Sequence, residues 1–250
     1  MTDVRVEGCS TSSAPQDHVL PSGLWKFDEE VTKVFDDMLA RSIPGYETMR
    51  WATHQVGAQF LQGDWSTVVD IGASRGESVD WFIQNHPRHK YKLIEISQPM
   101  RETLEARYSE NPDVRVWNRD LREADQVFDK VDDCSMILSV LTLMFVPIEH
   151  RPALVRAMWE TLRPGGVLIM VEKMLGATPL LDAKLKDTYY KMKADNGYTQ
   201  DEILRKKLSL EGVLVPLTET WNRDLLERAG FNQIDYFFRC LQFGGFIAVK

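Results

Sequence analysis

Disulfide pairs, metal-ligand spacings, membrane-length apolar runs and an excess of positive charge are all missing from this chain, and each gap removes a class of function. Only three cysteines occur, Cys9, Cys134 and Cys240, far apart and without a CxxC pair. That usage disfavours both a disulfide framework and a structural zinc site, and it suits a reducing cytoplasm. The five histidines, His18, His54, His86, His89 and His150, show no metal-ligand spacing, and Pro87 beside His86 favours a turn. No metal is expected. No stretch approaches the roughly 20 apolar residues that span a bilayer, and no basic-then-apolar leader opens the sequence. The expectation is a cytoplasmic chain without a membrane partner. With a formal charge of −7, general attraction to phosphate backbones is also lacking, so extensive nucleic-acid binding is not expected.

What is present is enough apolar material for one core: 44% hydrophobic residues in 250, a length at which α/β chains often form one domain. Residues 1–24, rich in Ser, Thr, Asp, Pro and Gly, have no periodicity that would bury a face and read as a flexible tail ahead of a single domain over 25–250. Two helices follow over 28–61. The first carries Val31, Val34, Phe35, Met38 and Leu39 at helical spacing, with Asp28, Glu29 and Glu30 at its start. Short β-rich runs then alternate with helical ones: Thr67 to Ile71, Lys90 to Ile96, Val114 to Trp117, Ser135 to Val140 and Val167 to Val171. Parallel neighbours need crossover connections, so this alternation predicts a doubly wound α/β core with a mostly parallel sheet. Arg163-Pro164-Gly165-Gly166 reads as the turn into the last of these strands. A long helical insertion over about 180–210 suits a lid or a dimer surface. A helix near Glu219–Ala229 and two antiparallel strands, Gln233–Arg239 and Gly245–Val249, close the chain.

The chemistry gathers where strand Thr67–Ile71 runs into Gly72-Ala73-Ser74-Arg75-Gly76. In open α/β sheets the carboxyl edge of the strands is where ligands bind, and Gly72 and Gly76 permit close backbone approach. The spacing departs from G-x-G-x-x-G, so a nucleoside with a zwitterionic tail fits better than a pyrophosphate. Taken alone, such a turn is as readily structural. Glu95 and Asp120 change the balance because they follow the next two strands in order after Asp70. Glu95 is able to accept both ribose hydroxyl protons, and Asp120 to accept from an adenine amino group. Glu172, closing the fifth strand, is either an acidic group near the chemistry or a structural partner of Lys173. Tyr189, Tyr190, Trp221, Tyr236, Phe237 and Phe238 offer either an acceptor pocket or packing.

From Phe27 onward these residues resemble the class I S-adenosylmethionine-dependent methyltransferases, and within them the carboxy-S-adenosylmethionine synthases of tRNA wobble-uridine modification. The motifs carrying that resemblance are Phe27-Asp28-Glu29, Arg41-Ser42-Ile43-Pro44-Gly45-Tyr46, Val171-Glu172-Lys173, Asn196-Gly197-Tyr198, Ala229-Gly230-Phe231 and Phe243-Gly244. It implies a Rossmann-like, seven-stranded sheet with N-terminal helices and a helical insertion before the last strands. It implies S-adenosyl-L-methionine, or its carboxylated form, as the cofactor. Tyr46, Asp70, Gly72, Ala73, Ser74, Gly76, Glu95, Ile96, Asp120, Leu121 and Ser139 would then bind that cofactor. The resemblance also implies a homodimer through the insertion and a small-molecule second substrate. The family's carboxylate-binding Arg falls at Lys207, which keeps the charge but not the planar fork. Lys207, Arg75 and Glu172 are therefore the candidates for the reacting end.

Three functions follow. Plain methyl transfer needs in-line alignment and exclusion of water rather than a nucleophilic side chain. Carboxy-S-adenosylmethionine synthesis would move carbon dioxide from prephenate onto the deprotonated sulfonium methyl, with cations holding the carboxylates. The third is a non-catalytic ligand sensor.

Overall fold

In a computed structural model, which describes residues 16–61, 63 and 65–250, the chain opens with helices α1 (Glu29–Ser42) and α2 (Tyr46–Ala58). Asp28 caps α1 by accepting from the Val31 N–H, and Gly45 starts α2 in the left-handed region. The alternating body follows as β1 (Thr67–Ile71), α3 (Asp80–Asn85), β2 (Lys90–Ile94), α4 (Gln98–Arg107), β3 (Val114–Trp117), α5 (Ala124–Val127), β4 (Cys134–Val140), α6 (Arg151–Thr161) and β5 (Leu162–Leu175). Helices α7 (Pro179–Asp195) and α8 (Gln200–Leu210) come next, then β6 (Leu217–Thr218), α9 (Glu219–Ala229), β7 (Gln233–Cys240) and β8 (Phe243–Val249).

The main sheet runs β3-β2-β1-β4-β5-β8-β7, with the two-residue β6 paired to β5 off this path. Strands β1 to β5 pair in parallel, and β8 lies antiparallel to both β5 and β7. This is the doubly wound arrangement read from the sequence. Its centre, β1 and β4, is buried along nearly its whole length because helices cover both faces. One core layer joins Ile71, Ile137, Leu168 and Phe246 to α6 and α9. The other joins Val68, Leu93, Leu138 and Ile169 to Phe82 and Leu104. Reversal of strand order at β1 and β4 opens the crevice in which such folds bind ligands.

Several local expectations change. Arg163–Gly166 belongs to β5 as a bulged beginning, with Gly165 at φ +76° and the register with β4 shifted between Cys134 and Met136. The insertion is two helices, broken where Gly197 takes φ +91° and Thr199 caps α8 through a reciprocal box with Glu202. Residues 1–15 of the expected tail lie outside the described residues, but the rest of it is tied down. Asp17 is fully buried, because its carboxylate accepts from Lys206 Nζ and, at 2.5 Å, from the Tyr198 hydroxyl. Its backbone N–H donates to Asp37 and its carbonyl accepts from Arg41. A charge inside the fold persists only when paired, so the polar look of this segment concealed an anchor. Among the described residues no helix is long and apolar enough to cross a membrane. Leu180 and Leu181 on α7 and Leu204 and Leu208 on α8 are exposed, and any pairing of copies through the insertion would involve these surfaces.

Candidate active site

Beyond the carboxyl end of β1 the chain turns at Gly72, with φ +63°, where a Cβ would sit 2.4 Å from Thr142 Cγ2. Only glycine fits, both for conformation and for space. Thr142, on the loop after β4, fixes that approach by donating from Oγ1 to the Ile71 carbonyl at 3.0 Å. The turn is closed by Ala73 N–H donating to the Ile94 carbonyl and Gly76 N–H to that of Ala73. Glu95 braces it: one carboxylate oxygen accepts from Ser74 N–H at 2.8 Å and the other from Ser97 N–H at 2.7 Å. Burial pushes the Glu95 carboxyl up from its ordinary value while these backbone donors oppose the shift. Each oxygen retains a lone pair, so Glu95 is able to brace the turn and still accept from a diol.

A cavity of about 470 Å³ opens over this turn. Gly72, Ala73, Ser74, Glu95 and Ile96 line it together with Asp120, Leu121 and Tyr46. Asp120 is held below the usual carboxylate range by Arg122, whose guanidinium it accepts from and whose backbone N–H it also engages. Asp70, Gly76 and Ser139 support the wall from behind without forming it. Asp70 Oδ2 and Ser139 Oγ, near the ends of β1 and β4, are buried with no hydrogen-bond partner. Burial keeps the Asp70 carboxyl well above its ordinary value. A glycine turn that a Cβ would fill, a braced carboxylate beside it and orphaned polar atoms beneath it suit a nucleoside with an amino-acid tail.

The three residues expected at the reacting end sit elsewhere. Arg75 leans out of the turn toward Asp36, 3.2 Å away, and away from the cavity. Lys207 is exposed on α8 and does not line the cavity; its neighbour Lys206 does. One residue turns a helix by about 100°, so adjacent positions present different faces. Glu172 is buried behind the wall, where it accepts from the Leu143 N–H at 3.0 Å near Arg151. It is not paired with Lys173, because neighbouring strand residues point to opposite faces. Of the aromatic candidates, Tyr189 lines the cavity, whereas Trp221 is exposed and Tyr236 packs on Phe246.

Burial drives the Glu172 carboxyl up to about 8, against the Arg151 charge and the backbone donors. A glutamate in the unfolded chain ionises near 4.5. Within that window the folded chain holds a proton that the unfolded chain releases, so stability falls as pH rises through it. Glu172→Gln keeps an acceptor for Leu143 and removes the ionisation. The melting temperature of this variant should therefore vary less with pH over that window than that of the parent chain. Equal slopes in the two melting series would contradict the assignment.

Sequence reasoning did not place Lys173 or Lys193 on the far wall. Lys173 from β5, Lys193 from α7 and Lys206 from α8 all face the cavity. Lys173 is pushed down to about 8 by burial and then by Lys186, and Lys193 to about 8 by burial and then by Lys206 and Lys173. Alternation along β5 after Glu172 is the one sequence signal that could have found Lys173. Trp25, Phe27 and Phe145 cover the cavity on the side of the N-terminal segment, in edge-on contacts of Phe27 with Trp25 and Phe145.

Comparison with known proteins decides the family. A methyltransferase-domain family model matches residues 68–166. A carboxy-S-adenosyl-L-methionine synthase from Haemophilus ducreyi is 34% identical over 234 residues, 91% of this chain and 93% of that protein. The chain belongs to the class I S-adenosylmethionine-dependent methyltransferase family. A second carboxy-S-adenosyl-L-methionine synthase, from Actinobacillus pleuropneumoniae, is 33% identical with 91% and 94% coverage. Among solved structures, human N-acetylserotonin methyltransferase in complex with SAM superposes with a TM-score of 0.57 at 13% identity, covering 88% of this chain and 55% of that one. An O-methyltransferase family protein from Burkholderia thailandensis gives 0.62 at 15% identity, with 90% and 60% covered. At those identities the likeness is one of fold. As a methyltransferase-family transferase, the chain has its glycine turn at the crevice where that fold binds ligands.

Proposed function

We propose that this chain is a carboxy-S-adenosyl-L-methionine synthase, converting S-adenosyl-L-methionine and prephenate to the carboxylated sulfonium, phenylpyruvate and water, the ring hydroxyl of prephenate and the proton of the sulfonium methyl leaving together as the water. The observation that carries this reading is that the glycine turn, Glu95 and Asp120 share one cavity with walls from α7, α8 and the segment holding Trp25 and Phe27. A cavity of about 470 Å³ walled by three segments suits a small second substrate better than a macromolecular acceptor. Similarity along more than nine-tenths of the synthase relatives supports the same choice. When bound, the cofactor supplies an activated sulfonium methyl. The chain's own residues hold and enclose it: Gly72–Ser74 receive the amino-acid tail, Glu95 the ribose and Asp120 with Leu121 the adenine. Water exclusion by the aromatic cover prevents loss of reactive species.

Methyl transfer to a small acceptor is the second reading, favoured by Lys207 standing where the resemblance implies Arg. Mass spectrometry of ligand released from the purified protein separates the two. The synthase reading expects the carboxylated sulfonium, or its formation after prephenate is added; unmodified S-adenosyl-L-methionine alone under both conditions overturns it.

A further inference from the structure

We infer that Lys173 and Lys193 form a subsite for the two carboxylates of a dianionic second substrate, with Tyr189 as the surface between them. The Nζ atoms of the two lysines lie 4.5 and 5.9 Å from the centroid of the Tyr189 ring, so they are separated by no more than the sum of those distances. Both face the cavity, and Lys193 is only 6% exposed. Neither has a carboxylate partner among the described residues, although the other charges around them are matched. Asp17, the acid whose field reaches Lys193, is paired with Lys206, and Arg41 with Asp37. Asp182, the acid whose field reaches Lys173, is bound by Lys186, the Gly176 N–H and Gln242. Two cations without a carboxylate partner therefore remain in one cavity.

Like charges gathered away from water raise the energy of the empty site, and an anion with two negative groups relieves both the repulsion and the missing hydrogen bonds. A monoanion satisfies only one of the two. The cavity's other residues at this end, Tyr189 and Phe243, offer apolar surface to the hydrocarbon ring that carries the two carboxylates. In this arrangement Asp17 acts as an internal counter-ion that keeps Lys206 out of the subsite. The identity of the dianion rests on the synthase reading, in which it is prephenate; the two-carboxylate preference rests on the lysines.

Calorimetry on the protein loaded with S-adenosyl-L-homocysteine, which lacks the reacting methyl and so leaves prephenate unconverted, tests this with prephenate and with phenylpyruvate, which carries one carboxylate. Prephenate should bind about tenfold more tightly, as expected for one further charge-assisted contact. Lys193→Met and Lys173→Met should each remove most of that preference while S-adenosyl-L-methionine affinity stays within about twofold, and Lys193→Arg should retain it. An unchanged preference in both methionine variants, or a parallel loss of cofactor affinity, would overturn the subsite. Should the methionine variants fail to fold, the salt dependence of the parent chain decides: it should be steeper for prephenate than for phenylpyruvate, and equal slopes count against the subsite. Prephenate binding with this preference but no carboxylated product would sink the synthase reading alone. Carboxylated product made at an unchanged KM by the double methionine variant would sink the subsite alone.

Discussion

Asp17→Ala should destabilise the chain by about 3–5 kcal/mol, the usual cost of removing one partner from a buried ion pair. The substitution leaves Lys206, only 3% exposed, without its carboxylate beside Lys193 and Arg41, whose charges already act on each other. It also strands the Tyr198 hydroxyl, which donates to the same carboxylate. For a chain of this size the melting temperature should fall on the order of 10 °C. Pairing the change with Lys206→Met should recover most of the loss, since removing both charges removes the uncompensated one. A melting temperature within about 2 °C of the parent for Asp17→Ala would show that the pair contributes no more than a surface contact.

Gly72→Ala carries the second large effect, and it falls on ligand binding. An L-residue held at φ +63° costs roughly 1–2 kcal/mol, and the new Cβ would meet Thr142 Cγ2 at 2.4 Å and Oγ1 at 2.6 Å, so the turn must move. Movement there breaks the register in which Ser74 N–H meets Glu95 and Ala73 N–H meets Ile94. Affinity for S-adenosyl-L-methionine should drop at least about tenfold, equivalent to 1.4 kcal/mol, while the rest of the sheet keeps its fold. Thr142→Ala in the same chain should restore part of it by clearing the nearest atoms. Binding at parent strength by the single variant would mean that the turn does not hold the ligand.

The cradle was legible in the sequence because it is local. A buried strand must end in a turn, and glycines with carboxylates after successive strands mark that edge whatever surrounds them. What escaped depends on long-range packing. Asp17 lies in a segment without periodicity, and its significance comes from Lys206, 189 positions away. Lys207 and Lys206 are adjacent in sequence, yet only the packing of α8 decides which reaches the cavity. Glu172 and Lys173 occupy one strand, and their opposite fates follow from alternation once the strand is known to reach Leu175. Arg75 sits in the ligand turn but swings toward α1, whose position no local pattern discloses.

The fate of one carbon atom tests the central claim most directly. Purified protein is supplied with S-adenosyl-L-methionine and with prephenate carrying isotopic label in its ring carboxylate, and the sulfonium product is weighed. A carboxy-S-adenosyl-L-methionine synthase transfers the labelled carbon to the sulfonium and leaves unlabelled phenylpyruvate. Unlabelled, unmodified S-adenosyl-L-methionine after incubation with folded, cofactor-binding protein would contradict that account.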